Sequence, residues 1–356
     1  MRNRRFIYAF MILCLLVTGT ACSAKKESKE KNVSNANQQS ATEETDVADT
    51  KEEDSLPEGI KADTTMLSVN DVKVPYNEVM IYVLLLKEMY EPSLTNIIWD
   101  YKLDTGVTFG DMAKQEVLNQ IIQLKVMSEQ AKKLNVTLAD DELMEVENYA
   151  NDYLKGITSE DQKKYGITYD TVFQICKDNY LADKVFNVAT MDVDTMISDD
   201  EAKQVTIWQI EVSTIKTDEA GKETALSEAE KKTAYKKAKK LLKSAKKAED
   251  FYSFAMSNSD DSVVEYTFGK DDKSAPYVEA AFSLEEGKIS KVVETDTGYY
   301  ILYMVDSFNE DATAAKKETI INQRQDEAFQ KMYKEWLSDY KVKVKESNWK
   351  KIAFQA

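Results

Sequence analysis

The stretch of sequence that decides the fold covers residues 277–302 and reads YVEAAFSLEEGKISKVVETDTGYYIL. Its opening, with the proline before it, predicts a short helix from Pro276 to Phe282. Its second half predicts two strands, Lys291–Thr295 and Tyr299–Met304, because β-branched and aromatic residues flank the turn Asp296-Thr297-Gly298. A short helix followed by an antiparallel hairpin therefore closes this part of the chain.

Upstream of this stretch the pattern remains a mixture of strand and helix. Residues Val205–Val212 alternate in the manner of a strand with one buried face. Lysine and alanine dominate from Ser227 to Ala248, where alanine and leucine recur at helical spacing, and Phe251–Ala255 continues as a shorter helix. Residues 204–306 thus form a small module of strands and helices.

Both flanks of this module are predicted to be helical. Apolar residues recur at helical spacing over about 75–90, 109–134, 138–154, 168–188 and 312–339. Short strands are expected only in a hairpin at residues 66–74 and at Val342–Val344. With only 10 glycines and 4 prolines in 356 residues, long helices are favoured over many short strands. The predicted class is α+β, a mostly helical body with an inserted domain that has a small antiparallel sheet.

The N-terminus predicts export. Three arginines lie within the first five residues, an apolar run follows from Phe6 to Val17, and small residues precede Cys22. This arrangement is typical of a secretory signal and resembles that of bacterial lipoproteins, in which cleavage leaves an N-terminal cysteine that carries a diacylglycerol. We therefore expect lipidation at Cys22 and a location on the outer face of the cell membrane. An ordinary signal peptide followed by a chance cysteine is the alternative.

Composition excludes several classes of function. The net charge of −16 works against binding to nucleic acid or to anionic membrane surfaces. The chain contains no histidine, so no histidine serves as a general base or metal ligand. No motif for a cofactor or a metal is present, and none is predicted. Cys176 has no disulfide partner in the mature chain and lies beside an apolar helix face, which favours a buried, inert thiol.

The quoted stretch carries a resemblance to a known family. The aromatic residue and Ala-Ala-Phe helix, the turn Glu286-Gly287-Lys288-Ile289-Ser290 and the strand after Gly298 resemble the C-terminal half of a parvulin-type (PpiC) peptidyl-prolyl isomerase domain. The helical flanks resemble those of PrsA- and SurA-like extracytoplasmic foldases. The expected domains are a signal peptide (1–21), a lipidated cysteine with a disordered tether (22–57), an N-terminal helical chaperone domain (58–200), a parvulin-like domain (201–306), and a C-terminal helix and tail (307–356) that packs on the helical domain.

The resemblance also implies site residues. Its catalytic positions fall on Gln209, Asp261 and Tyr300, and its proline-binding positions fall on Tyr277, Phe282 and Phe268. The two histidines of the family are replaced by Gln209 and Tyr300, and its pocket methionine falls near Lys273. Prolyl isomerisation requires twisting of an amide rather than proton transfer, so these replacements leave enzymatic activity open.

The function implied is that of a membrane-anchored folding factor that binds newly exported polypeptides, with or without peptidyl-prolyl isomerase activity. A homodimer is left open. One alternative is a non-catalytic lipoprotein scaffold of a surface or secretion complex. A lipid-anchored solute-binding protein is the other, but such proteins have two α/β lobes and more glycine and proline than this chain.

Overall fold

The computed structural model of the chain describes residues 56–218 and 221–354. These residues divide into two compact units, residues 56–192 with 327–354 (the helical unit) and residues 193–326 (the inserted unit). Across the described residues, no helix is both long enough and apolar enough to cross a membrane. The predicted signal peptide, Cys22 and most of the predicted tether lie outside the described residues.

A three-stranded antiparallel sheet opens the helical unit. Strands β1 (Thr65–Val69) and β2 (Val72–Pro75) form a hairpin whose turn residue Asn70 adopts a positive φ of 50°. Such a backbone conformation is tolerated by asparagine better than by most residues. The third strand comes from the far end of the chain and pairs with β1, which places Leu67 opposite Val344.

Helices make up the rest of the helical unit. They are α1 (Tyr76–Leu94), the 3-10 helix η1 (Asn96–Asp100), α2 (Phe109–Lys133), α3 (Asp140–Gly156), α4 (Ser159–Tyr165) and α5 (Tyr169–Ala189). Threonine hydroxyls cap the N-termini of α2, α4 and α5, where they accept hydrogen bonds from otherwise unpaired backbone N–H groups. Gly166 ends α4 in the left-handed conformation with a φ of 63°.

The core of the helical unit joins both ends of the chain. Ile121 and Leu124 of α2 and Val185 of α5 are fully buried there. Trp349 and Phe354, from the last residues described, belong to the same cluster, and the Phe354 ring stacks on Trp99 at 4.2 Å. Apolar burial of this kind supplies most of the stability of a helical body.

Three charged groups lie inside this core. The Nζ atom of Lys125 is 2.8 Å from Glu78 Oε1 and 2.8 Å from Asp178 Oδ2. Ser128 and Gln174 also donate hydrogen bonds to Asp178, at 2.9 and 2.7 Å. Two carboxylates and one ammonium group leave a net charge of −1 in a buried place. Burial accordingly raises the pKa of Glu78, although the Lys125 charge opposes this shift.

The inserted unit is built on a four-stranded antiparallel sheet. Its strands are β3 (Val205–Ser213), β6 (Glu265–Phe268), β7 (Val293–Glu294) and β8 (Gly298–Asp306), in the order β6-β3-β8-β7. The short hairpin β4 (Ile215–Thr217) and β5 (Glu223–Ala225) lies apart from this sheet. Strand β3 is central, and its register places Gln209 opposite Leu302 and Glu211 opposite Tyr300.

The two faces of this sheet are covered by different helices. Helices α7 (Glu228–Ala245) and α8 (Phe251–Asn258) contact the face that carries Ile210, Val212 and Ile301. Helix α9 (Ala275–Phe282) contacts the opposite face, which carries Ile207 and Leu302. The sheet therefore separates two small apolar layers.

The remaining elements connect or complete the two units. They are α6 (Asp199–Ala202), the 29-residue helix α10 (Glu310–Ser338), β9 (Val342–Val344) and α11 (Glu346–Trp349). The predicted α+β class, with a helical body and an inserted domain containing a small antiparallel sheet, is confirmed. The long helices lie within two residues of their predicted bounds, except that α1 continues four residues beyond Tyr90 and α7 stops at Ala245. The predicted strand Lys291–Thr295 is shorter, Val293–Glu294, and the short elements α4, α6, α11, η1, β4, β5 and β6 have no counterpart among the predicted elements.

Candidate functional site

A concave cleft lies on the α9 face of the sheet in the inserted unit. Its volume is about 230 Å³. The residues that line it come from the sheet, from the loop after α8, from the residues just before α9 and its first turn, and from the turn between β7 and β8. All carry a polar group: Gln209, Glu211, Asp261, Tyr266, Lys273, Ser274, Tyr277, Thr295, Thr297 and Tyr300.

Gln209 is the centre of a hydrogen-bond network at the base of the cleft. Its Oε1 accepts a hydrogen bond from the Tyr277 hydroxyl at 2.6 Å, and its Nε2 donates to Asp261 Oδ2 at 3.0 Å. The same carboxylate oxygen accepts a hydrogen bond from the Tyr266 hydroxyl at 2.7 Å. Only 3% of Gln209 is exposed, so its amide satisfies its hydrogen bonds within the protein rather than with solvent.

Short-range contacts fix the position of the Asp261 loop. Ser259 Oγ accepts hydrogen bonds from the backbone N–H of Glu211 at 3.0 Å and of Asp261 at 3.2 Å. Asp260 adds a backbone bond to the carbonyl of Glu211. The loop after α8 is therefore pinned to the end of β3, and this holds the Asp261 carboxylate beside Gln209.

Tyr300 closes another side of the cleft. Its ring meets the Tyr277 ring edge-on, with centroids 5.2 Å apart. Its hydroxyl lies 3.0 Å from Thr297 Oγ1, and the Glu211 carboxylate is close enough to influence it electrostatically. Tyr300 lies beside Glu211 rather than Gln209, because it pairs in register with Glu211, two positions further along β3.

Lys273 contributes the positive charge of the cleft. Its Nζ atom lies over the Tyr266 ring, 4.2 Å from the centroid, which is the geometry of a cation–π contact. The residue is exposed and lines the cleft beside Tyr266. The cleft thus combines one lysine with the carboxylates of Glu211 and Asp261.

Burial and neighbouring charges shift the acid–base behaviour of these groups. Burial raises the pKa of Tyr277 far above its ordinary value, and burial followed by the hydrogen bond to Asp261 raises the pKa of Tyr266 to about 12. The pKa of Tyr300 is also raised, chiefly by burial. Desolvation and then the nearby Asp261 charge raise the pKa of Glu211. The three tyrosine hydroxyls therefore remain protonated donors near neutral pH.

The predicted proline-binding aromatics occupy different places. Tyr277 lines the cleft, but Phe268 is buried behind it, with ring centroids 5.4 Å apart. The Phe282 ring packs against the Phe268 ring, with centroids 6.3 Å apart, and Phe282 does not line the cleft. Phe268 points inward because it pairs with Val205 in the sheet, on the face that α9 covers. Phe268 therefore packs behind Tyr277, and Phe282 packs on Phe268.

Glu211 and Tyr266 are two of the cleft residues that the sequence does not assign to the site, although its patterns contain a signal for each. Glu211 lies two positions after Gln209 on β3, and side chains at this spacing share a face of the sheet. Tyr266 lies two positions before Phe268 on β6 and shares its face for the same reason. Strand β6 has only four residues, too few for its pattern to indicate a strand, so the sequence does not point to Tyr266.

Comparison with known families identifies the inserted unit. Residues 195–308 match the model of the PPIC-type PPIASE domain, a family of peptidyl-prolyl isomerases. The inserted unit is a PPIC-type domain. Every residue that lines the cleft falls within the matched part of this domain.

Relatives extend the similarity well beyond the PPIC-type domain. A foldase protein PrsA of Clostridium botulinum (strain Loch Maree) is 26% identical over 318 residues, which cover 81% of this chain and 90% of the relative. The PrsA foldase of Caldanaerobacter subterraneus is 27% identical, with 81% and 89% of the two chains covered. Among solved structures, the foldase PrsA of Lactococcus lactis covers 80% of this chain and 96% of its own, at 16% identity and a TM-score of 0.35. The resemblance to PrsA-like foldases with a parvulin-type domain is confirmed.

Proposed function

We propose that this protein is an extracytoplasmic folding factor that binds exported polypeptides and holds their proline-containing segments in the cleft of the PPIC-type domain. The observation that carries the proposal is the network in which Gln209 joins Tyr277 to Asp261 within that domain. The similarity to PrsA foldases over 81% of the chain supports the wider role in protein folding.

The proposed chemistry is rotation about the bond that precedes proline. The barrier of an amide is about 18–20 kcal/mol, because twisting the bond removes its resonance. In the twisted state the prolyl nitrogen becomes a better hydrogen-bond acceptor, and a protonated tyrosine hydroxyl at a desolvated site stabilises that state. Tyr300 is suited to this role, because it lines the cleft and its raised pKa keeps its proton in place.

The proposed role of the helical unit is to hold unfolded chain. Large apolar side chains are exposed where α1, η1 and α2 meet, including Ile97 (72% exposed), Tyr101 (61%) and Leu94 (48%). Val107 and Met112 extend the same region. Exposed apolar surface of this kind attracts the apolar segments that an unfolded client presents to water.

The proposal includes a lipid anchor at Cys22 and places the folded part outside the cell membrane. Mass spectrometry of the N-terminal peptide tests the anchor, with a diacylglycerol on the Cys22 sulfur as the expected result. Association into a homodimer belongs to the same proposal and is tested by sedimentation of the mature chain over a range of concentrations. Neither outcome affects the proposed role of the cleft.

The isomerase activity is tested with a protein whose refolding is limited by a prolyl bond. The mature chain is expected to accelerate refolding, and Tyr300→Phe is expected to reduce kcat/KM about tenfold, the effect of about 1.4 kcal/mol in the transition state. Tyr299→Phe is the matched control, because Tyr299 lies on the opposite face of the same sheet and contacts Tyr235 of α7.

Aggregation of an unfolded client, measured in parallel, separates the two activities. Suppression of aggregation without faster refolding would contradict the isomerase part and assign the cleft to binding alone. The absence of both effects would contradict the proposed function as a whole and favour a scaffold with a single partner.

A further inference from the structure

Helix α7 concentrates positive charge in an acidic protein. Residues 231–247 contain nine lysines and no aspartate or glutamate, although the whole chain has a net charge of −16. Like charges three or four residues apart destabilise a helix. The fold does not need so many lysines, because the contacts of α7 with the sheet are made by its alanines and leucines, such as Ala234, Ala238 and Leu241.

Five of these lysines form a single row, four on the exposed face of α7 and the fifth, Lys247, in the turn that follows its last residue, Ala245. The four in the helix follow one another at intervals of four, four and three residues, which places them on one side of α7 over about 17 Å, and Lys247 comes four residues later. In the part of the chain that the structure describes, none of the five is ion-paired: Lys232, Lys236, Lys240, Lys243 and Lys247. We call these five residues the lysine row.

The acidic groups around the row are placed at its ends or are already paired. Glu228 Oε1 lies 3.1 Å from Lys231 Nζ, and Asp260 Oδ1 lies 2.6 Å from Lys237 Nζ. The Glu230 carboxylate forms a salt bridge with Lys216 and accepts a hydrogen bond from the backbone N–H of Ser227, the N-cap residue of α7. The next acidic residue after the row is Glu249, beyond the last turn of α7. The positive charge of the row is therefore not neutralised within the unit.

The lysine row and the cleft lie on opposite sides of one sheet. Helix α7 contacts Val212 and Tyr299, whereas the cleft is built around Gln209 and Tyr300. Adjacent residues of a strand point to opposite faces, so a surface bound to the row leaves the cleft free. The two sites can be occupied at the same time without competing.

We infer that the lysine row is a docking surface for an anionic lipid bilayer. A straight row on the convex outer face of one helix matches a planar surface of phosphate head groups better than a single extended ligand. All five residues are lysines, which act as point charges and suit a diffuse layer of phosphates, whereas fixed bidentate recognition favours arginine. The leader predicted from the sequence places the chain beside such a surface.

The overall acidity of the chain does not prevent this contact. In physiological salt, charges are screened over about 8 Å, so the local row dominates once the helix approaches the bilayer. The predicted tether would add to the effect, because attachment at one point raises the effective concentration of the second contact. Docking would orient the PPIC-type domain with its cleft facing away from the lipid.

The inference is tested on the chain from residue 22 onward, with Cys22→Ser so that no lipid is attached. Binding is measured by co-sedimentation with phosphatidylcholine vesicles that contain or lack phosphatidylglycerol. The expected result is binding to the anionic vesicles only, weakened at least about tenfold when the salt concentration rises from 0.05 to 0.5 M. The same loss is expected when the row is neutralised in the variant K232Q, K236Q, K240Q, K243Q and K247Q.

A matched control removes the same charge elsewhere. Five exposed lysines of the helical unit are replaced in the variant K73Q, K102Q, K163Q, K331Q and K343Q, which is expected to bind vesicles like the parent chain. Circular dichroism of both variants shows whether the helices are retained. If both variants lose binding equally, only the total charge matters, and the inference is overturned.

The orientation is tested with a fluorescent label. Ser244 is exposed on α7 between Lys243 and Lys247, and Glu279 is exposed on α9, on the cleft side. With Ser244→Cys, brominated lipids are expected to quench the label, and with Glu279→Cys they are expected to have little effect. Equal quenching at both positions would overturn the inference. Tighter binding of soluble polyglutamate than of the anionic vesicles would also overturn the inference, because the lysine row would then be a site for an acidic polypeptide.

Discussion

The hydroxyl of Tyr277 donates a hydrogen bond to Gln209 Oε1 at 2.6 Å, while the amide nitrogen of the same glutamine donates to Asp261. A helix, a central strand and a loop are therefore joined through one amide group. The position that the family resemblance assigns to a histidine is filled by a residue that holds the cleft together and cannot change its charge.

We expect Gln209→Leu to lower the free energy of unfolding of the PPIC-type domain by about 2 kcal/mol, because the buried Tyr277 hydroxyl loses its acceptor. Adding Tyr277→Phe removes that unpaired hydroxyl, so the double variant should be less destabilised than the sum of the single variants. Urea unfolding of the four proteins of this cycle measures the coupling. Strictly additive effects would contradict the proposed network.

Replacing Asp261 by asparagine should change the acid–base behaviour of its neighbours. The pKa of Glu211, raised by burial and then by the Asp261 charge, should fall toward its ordinary value. The pKa of Tyr266, now about 12, should also fall. Carbon-13 NMR titration of the glutamate and tyrosine side chains measures both shifts.

The same variant should alter the pH dependence of stability. A carboxyl group whose folded pKa is raised contributes stability that is complete below its unfolded pKa and is lost as the pH rises through the folded value. Glu211 should therefore cost stability as the pH rises from about 4.5 through its raised pKa. In Asp261→Asn this loss should shrink, and an unchanged profile would show that the two carboxylates do not interact.

In the helical unit, the two members of the ion pair between Glu78 and Lys125 should respond differently to replacement. Lys125→Met leaves two carboxylates buried without a cation, and should lower the free energy of unfolding by about 3–5 kcal/mol. Glu78→Gln removes the excess negative charge and should cost little or increase stability at neutral pH. Lys155→Met, in an exposed pair with Asp152, is the control and should change stability by less than about 1 kcal/mol.

The raised pKa of Glu78 should also make the free energy of unfolding depend on pH. Its pKa is raised by burial, so its contribution is greatest in the acid range and is lost as the pH rises through the raised value. Urea unfolding at several pH values should show this loss in the parent protein and not in Glu78→Gln. Parallel profiles for the two proteins would place the titrating group elsewhere.

Tyr82 carries a buried hydroxyl that has no hydrogen-bond partner among the described residues. Tyr82→Phe removes a desolvated polar group and keeps the ring, so the free energy of unfolding should stay the same or rise by about 1 kcal/mol. Thermal and urea unfolding measure the change. A loss of more than about 1 kcal/mol would reveal a partner for this hydroxyl.

Sequence patterns were sufficient for the elements that are long and strongly periodic. The helix over residues 109–133 was predicted to within one residue, because its apolar residues repeat regularly and a threonine caps its start. Strand β6, only four residues long, was not recognised, and Tyr266 was overlooked with it. A pattern of four residues contains too few repeats to distinguish a strand from a loop.

The sequence by itself determined the class of the fold, the long helices and the family resemblance, because these depend on periodicity and on local residue types. Only the tertiary structure decided which residues meet in the cleft. Gln209 contacts Asp261 and Tyr277, which are 52 and 68 positions away along the chain. Tyr300 lies opposite Glu211 in the sheet rather than opposite Gln209. These contacts follow from strand register and from the seating of α9 on the sheet, which are set by the packing of the whole unit.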